Sequence, residues 1–169
     1  MVNLRLKNRA QKPIGLDIGN NSIKMIQLSV KRERITVIAA DEARFDLDIS
    51  ENNEQKRNHI VNTIKQMLAN GNFHGKDVIS CLPNEKVKIT SLRLAETKPD
   101  QVEEVLKREV AQRFAMDPDK DSINYMPVGS VRQGDDVRDE LILFAAGDQA
   151  IREHIEMLEE AQLAPVAID

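Results

Sequence analysis

The sequence predicts a mixed α/β fold, with strands and helices interleaved along the chain. Three observations carry this. Three strand-like runs precede an amphipathic helix and a further apolar strand within residues 13–82. A second series of strand, helix, strand and strand fills residues 85–147. A third helix then leads into an apolar run at residues 164–168. Alternating elements of this kind build layered α/β domains, though the pattern alone admits several arrangements of the layers.

Each element has a local reason. Residues 13–18 and 22–30 are strand-like runs around a polar turn, and residues 33–45 form a third strand through Ile35, Val37, Ile38 and Ala39. Residues 46–53 are polar and read as a loop. Residues 52–69 read as a helix, with Ile60, Ile64, Met67 and Leu68 on one face. Asn52 with Gln55 resembles a capping box, and Gly71 suits the stop. Residues 77–82 read as a buried strand. Residues 85–94 are a strand whose alternation changes phase near Thr90 and Ser91, which predicts a bulge or a passage between two cores. Residues 99–114 form a helix: Pro99 fits its first turn, Asp100, Glu103 and Glu104 suit its dipole, and Val102, Leu106, Val110 and Phe114 make an i, i+4 stripe. Residues 122–132 and 138–147 are strands joined around Gly134. Asp148 caps a helix to Leu163 with Ile151, Ile155 and Leu158 inward, and residues 164–168 open another strand.

The first turn carries the chemistry. It reads Asp17-Ile18-Gly19-Asn20-Asn21-Ser22-Ile23-Lys24, with an acid ending one strand and a lysine inside the next. Gly19, Asn20 and Asn21 are types that tolerate positive φ, so a short turn is easily made. Such a turn can point successive N–H groups into one concavity that suits a phosphate. Asp17 can orient a hydrated magnesium ion, which takes only one or two carboxylates. Lys24 can reach the same phosphates as a point charge. By turn chemistry alone, the same residues also make an ordinary Asn-Asn hairpin with an exposed lysine.

Spacing adds to this reading. The acid, the glycine two residues on and the lysine seven residues on resemble the first phosphate hairpin of the actin, Hsp70 and sugar-kinase superfamily. The wider string from Ile14 to Leu28 resembles the start of the PilM family, cytoplasmic actin-like proteins of type IV pilus assembly related to the division protein FtsA. Asn20 departs from the serine or threonine that many PilM-like chains carry there. The string Ala145-Ala146-Gly147-Asp148 and the stretch from Ala161 to Asp169 are PilM-like as well.

The resemblance implies an actin-like (ribonuclease-H-like) first lobe carrying a small inserted α/β subdomain. Residues 1–12 would be a basic arm, 13–84 the first part of the larger subdomain, 85–138 the insertion, and 139–169 the return. It covers nearly all of the chain after Lys12 but only the N-terminal half of a PilM protein. It implies ATP and magnesium in a full-length protein, held here by Asp17, Gly19, Asn20, Asn21, Ser22 and Lys24, with Asp17 acting on the metal through water. It implies docking of the N-terminal peptide of a PilN-like membrane protein in a groove between the larger subdomain and the insertion. Peripheral association with the inner membrane would come through such partners. With the second lobe missing, this chain alone is expected not to hydrolyse ATP and to expose apolar surface near residues 164–169 through which it can self-associate.

Composition excludes other classes. A chain of 169 residues with net charge −4 and no tryptophan offers no basic stripe and no stacking platform for nucleic acid. No segment reaches the roughly 20 apolar residues of a membrane span. The arm holding Arg5, Lys7, Arg9 and Lys12 lacks the apolar core of a signal peptide, so a cytoplasmic site is expected. The single cysteine, Cys81, sits in an apolar run and reads as a small core residue in a reducing compartment. Asp117, Asp119 and Asp121 alternate like a calcium loop, but Ser122 and Val128 stand where such a loop needs glycine and glutamate. His59, His74 and His154 show no metal spacing, and His59 and His154 read as surface or boundary side chains on helices. Two alternatives stay open. One is the actin-like cytoplasmic part of a type II secretion platform protein, where the phosphate hairpin usually degenerates. The other is a sugar-kinase-branch enzyme, for which no acid that would activate a substrate hydroxyl can be named.

Overall fold

The computed structural model describes residues 11–45, 53–95, 99–133 and 136–169. Most of the expected basic arm, the loop after Phe45, the Asn52 cap and the turn at Gly134 lie outside the described residues. The chain divides into two compact units, Met1–Pro83 with Glu153–Asp169, and Asn84–Arg152.

The first unit is a five-stranded sheet in the order β3-β2-β1-β4-β8. Its strands are β1 (Gln11–Ile18), β2 (Ser22–Lys31), β3 (Arg34–Arg44), β4 (Asp77–Ser80) and β8 (Ala164–Ile168). The first three form an antiparallel meander, while β4 pairs parallel to β1 and β8 parallel to β4. The meander follows from short turns. A parallel partner needs a crossover, supplied by α1 (Asn53–Asn70) before β4 and by α3 (Asp148–Glu160) before β8. Side chains of period two on the strands meet those of period 3.6 on the helices in one core. Ile14, Leu16, Ile23, Met25 and Val78 pack there against Val61, Ile64 and Met67 of α1 and Met157 and Leu158 of α3. Each such fully buried aliphatic side chain contributes about 1.5–3 kcal/mol.

Gln27 is a buried polar member of this unit, 1 % exposed. Its Nε2 donates to the carbonyls of Lys12 (3.0 Å) and His74 (2.7 Å), and its Oε1 accepts from the His74 N–H at 2.8 Å. One amide thus satisfies three backbone groups where β1 bulges between Gln11 and Ile14 and where the chain enters β4.

The second unit is a three-stranded antiparallel sheet, β5-β7-β6, built from β5 (Val87–Ala95), β6 (Ser122–Gln133) and β7 (Asp136–Ala146). The helix α2 (Pro99–Phe114) covers one face. Leu106 and Val110 are buried against Leu92, Leu141, Leu143 and Ala145, with Val102 and Phe114 at the margin, as the i, i+4 stripe requires. The unit extends beyond residue 138 because β7 is the central strand of its sheet and pairs with both neighbours.

Four local expectations need correction. The phase change in β5 is not a bulge: its register with β7 runs unbroken from Val87 opposite Ala146 to Ala95 opposite Arg138. Ile89 is simply on the uncovered face, 61 % exposed, while Leu92 faces α2. The fourth strand is not buried throughout, because Val78 and Ser80 point into the core while Asp77 and Ile79 do not. Cys81, next in that alternation, is exposed rather than a core residue. His154 is not a surface side chain. It is 5 % exposed, because the buried stripe of α3 runs through His154, Met157 and Leu158 and leaves Ile151 and Ile155 half-buried.

A candidate phosphate-binding hairpin

The β1–β2 hairpin closes where the Gly19 N–H donates to the Ser22 carbonyl at 2.9 Å, leaving Asn20 and Asn21 at the corner. None of Gly19, Asn20 and Asn21 takes positive φ. The glycine serves close approach instead: a Cβ there would stand 3.3 Å from the Ser22 carbonyl oxygen. Left-handed geometry occurs at the next hairpin, where Arg32 (φ 46°) and Glu33 (φ 67°) form the two-residue turn between Lys31 and Arg34. Two consecutive left-handed residues match the right-handed twist of the flanking strands.

The first turn is braced from the side. The Phe45 N–H donates to the Asn21 carbonyl at 3.0 Å. The Phe45 ring is buried and meets the His59 ring edge-on, centroids 5.3 Å apart at 74°. Among the described residues neither the Asn20 nor the Asn21 N–H donates to another group, so both remain available to an anion.

Register places the charged pair. Asp17 and Lys24 are direct cross-strand partners, and Glu42 of β3 stands opposite Lys24. Ile14 and Leu16 are buried, as are Ile23 and Met25, so the intervening Asp17 and Lys24 are turned to the exposed side. Among the described residues neither enters an ion pair within 4 Å. Beside them lies an open depression of about 690 Å³ whose lining includes Gly15, Ile26, Asp17 and Lys24. A side chain at position 15 would intrude on it, since a Cβ there would stand 3.3 Å from the Ile26 Cγ2.

Two further residues share this end of the sheet. Asp169 closes β8, its N–H donating to the Ser80 carbonyl at 2.9 Å and its carbonyl accepting from the Leu82 N–H at 3.2 Å. Cys81 stands within electrostatic reach of Asp169 and Asp17; its own partial burial, then these two negative charges, push its pKa up. Asp169 belongs to no motif in the sequence; its position directly after an apolar strand is the one signal that marks it. Asp17, Cys81 and Asp169 sit at the carboxyl ends of three parallel strands, where open α/β sheets bind ligands. Among the described residues no group of three or more His, Cys, Asp or Glu side chains is placed to hold a metal ion. The alternating acids near Asp117 are used internally: Asp121 accepts from the N–H of Asp117 and of Asp148, and Asp117 pairs with Lys120.

Comparison with known proteins gives a consistent picture. The family model "Type IV pilus assembly protein PilM" matches residues 15–169. Among solved structures, a PilM–PilN type IV pilus biogenesis complex is similar at TM-score 0.70 and 21 % identity, over 93 % of this chain and 46 % of that one. The cytoplasmic domain of EpsL, an inner-membrane component of the type II secretion system of Vibrio cholerae, is similar at TM-score 0.52 and 11 % identity, over 92 % of this chain and 56 % of that one. The chain therefore spans about half the length of the solved structures it resembles. These likenesses bear out the mixed α/β, actin-like fold. No curated protein matches at a significant level.

Proposed function

Because the chain belongs to the PilM family of type IV pilus assembly proteins, we propose that it forms the nucleotide-facing first lobe of a cytoplasmic scaffold at the inner-membrane platform of the pilus. The observation that carries the nucleotide part is the Asp17–Lys24 pair. Both side chains are exposed and opposite one another beside a turn with two free N–H groups. Asn20 and Asn21 would hold phosphate oxygens through the backbone, and Lys24 would neutralise them. The lone carboxylate suits magnesium, which keeps most of its waters and takes its remaining ligands from phosphates. When bound, the ion would screen the phosphate charge, and Asp17 would orient its waters.

Docking of the N-terminal tail of a PilN-like membrane protein completes the proposal. It is supported by family membership and by the fold shared with a protein solved together with PilN. The likeness to EpsL keeps a secretion-platform reading in view. The family match and the intact Asp17, Gly19 and Lys24 favour the pilus.

Calorimetry with magnesium and ATP tests the nucleotide part, with Asp17→Ala and Lys24→Ala as comparisons. Weak binding, reduced in both variants and without sustained phosphate release, is expected, since one wall of a site cannot position an attacking water. No binding at millimolar ATP would remove the phosphate role. Sustained turnover abolished by Asp17→Ala would mean that the chain is catalytically complete. NMR shift mapping with a PilN-like N-terminal peptide tests the docking; a spectrum unchanged at saturating peptide would overturn it.

A further inference from the structure

We propose that the tip of the β2–β3 hairpin is a direct contact for an anionic lipid surface, independent of nucleotide and of any protein partner. The tip reads Lys31-Arg32-Glu33-Arg34, three cations and one acid, all exposed. The left-handed turn at Arg32 and Glu33 holds it in a defined shape. Among the described residues none of Lys31, Arg32 and Arg34 enters an ion pair, whereas Arg44, Arg57, Arg93 and Arg113 do. Three unpaired cations therefore stand within four residues at one end of the first unit. Exposed Lys12 and Lys76 lie behind it, where β1 and β4 begin, with Asp77 the one exposed acid beside them among the described residues. Asp17, Glu42 and Asp169 gather at the opposite end of the sheet.

Charge alone would suit any polyanion. The apolar groups beside it select lipid. Directly after the tip, Ile35 is 67 % and Val37 55 % exposed, paired across the hairpin with Val30 and Leu28. Two large aliphatic side chains left in water beside three cations fit a bilayer interface, where cations meet headgroups and apolar side chains enter the acyl boundary. A nucleic-acid surface would prefer aromatic or polar groups in those places. A single edge strand of this kind is also an aggregation hazard unless something covers it or its charge repels other copies, and the basic tip does the second.

The test is flotation of the full chain with vesicles of phosphatidylethanolamine and phosphatidylglycerol, against vesicles of phosphatidylcholine alone. Binding to the anionic vesicles that fades between about 50 and 500 mM salt is expected, because surface attraction is screened within a Debye length. The triple variant Lys31→Gln, Arg32→Asn, Arg34→Gln keeps a turn that asparagine tolerates at positive φ. It should lower the partition coefficient on the order of 100-fold, each cation near an anionic surface being worth roughly a factor of five. Ile35→Ser with Val37→Ser should lower it about tenfold while leaving the salt dependence in place. Circular dichroism establishes that each variant is folded. Equal binding to both vesicle types, or unchanged binding by the folded triple variant, would overturn the proposal. So would an anionic-vesicle interaction indifferent to Ile35 and Val37 and outcompeted by duplex DNA or polyglutamate. Nucleotide binding at the other end of the sheet should be the same in every variant, so the two readings fail separately.

Discussion

The ring of His154 and the hydroxyl of Ser80 form a buried hydrogen bond, Nε2 to Oγ, at 3.1 Å. It joins α3 to β4 inside the main core, two residues from Leu82, whose N–H bonds to Asp169. A helix that must carry the chain into β8 is thereby fastened to the strand that β8 will pair with.

Burial of this ring makes stability depend on pH. Burial lowers the His154 pKa from its ordinary value of 6.5, so the native imidazole stays neutral where the unfolded one is protonated. Stability from this site is complete above about pH 6.5. It falls as pH drops below that, at up to about 1.4 kcal/mol per unit, until the native imidazole also protonates. Urea melts between pH 7.5 and 5 should show the loss, and His154→Gln should flatten this part of the profile. An unchanged slope in that variant would show that other groups dominate.

Gln27→Leu should cost about 3 kcal/mol. It removes the side-chain partner of the Lys12 and His74 carbonyls and of the His74 N–H, three bonds worth roughly 1 kcal/mol each. Equilibrium denaturation measures it. The isosteric Gln27→Glu separates shape from bonding, because it keeps the acceptor but loses both donated bonds.

Gly71→Ala should destabilise by about 1–3 kcal/mol. The added Cβ would stand 2.7 Å from the Phe73 ring and 2.8 Å from the Met67 carbonyl, just after α1 ends. Gly75→Asn should cost less, about 1 kcal/mol by the same denaturation assay, and Gly75→Val more. Position 75 has φ +81° and open space around it, a conformation asparagine tolerates.

The Cys81 thiol should react with maleimide more slowly at pH 7.5 than a free cysteine does, despite its exposure. The thiolate is the nucleophile, and partial burial together with Asp169 and Asp17 disfavours it. Asp169→Asn and Asp17→Asn should each raise the rate. If neither does, the two acids are not within electrostatic reach of this edge in solution.

What the sequence could determine is what is local. The runs at residues 13–18 and 22–30 were legible as strands, and Ile14, Leu16, Ile23 and Met25 lie in the core because a strand with one covered face buries every second side chain. The stripe of α2 was legible for the same reason at 3.6. The spacing of Asp17 and Lys24 about a tight turn made them neighbours, since a short hairpin fixes register. Tertiary structure decided which face of each element would be covered. Cys81 is apolar by company yet exposed, because α1 and α3 pack on the face that Val78 and Ser80 present. His154 is polar by type yet buried, because Ser80 supplies a partner 74 positions away in sequence. Asp169 joins Asp17 only because β4 lies between their strands, a parallel pairing that no short-range pattern encodes.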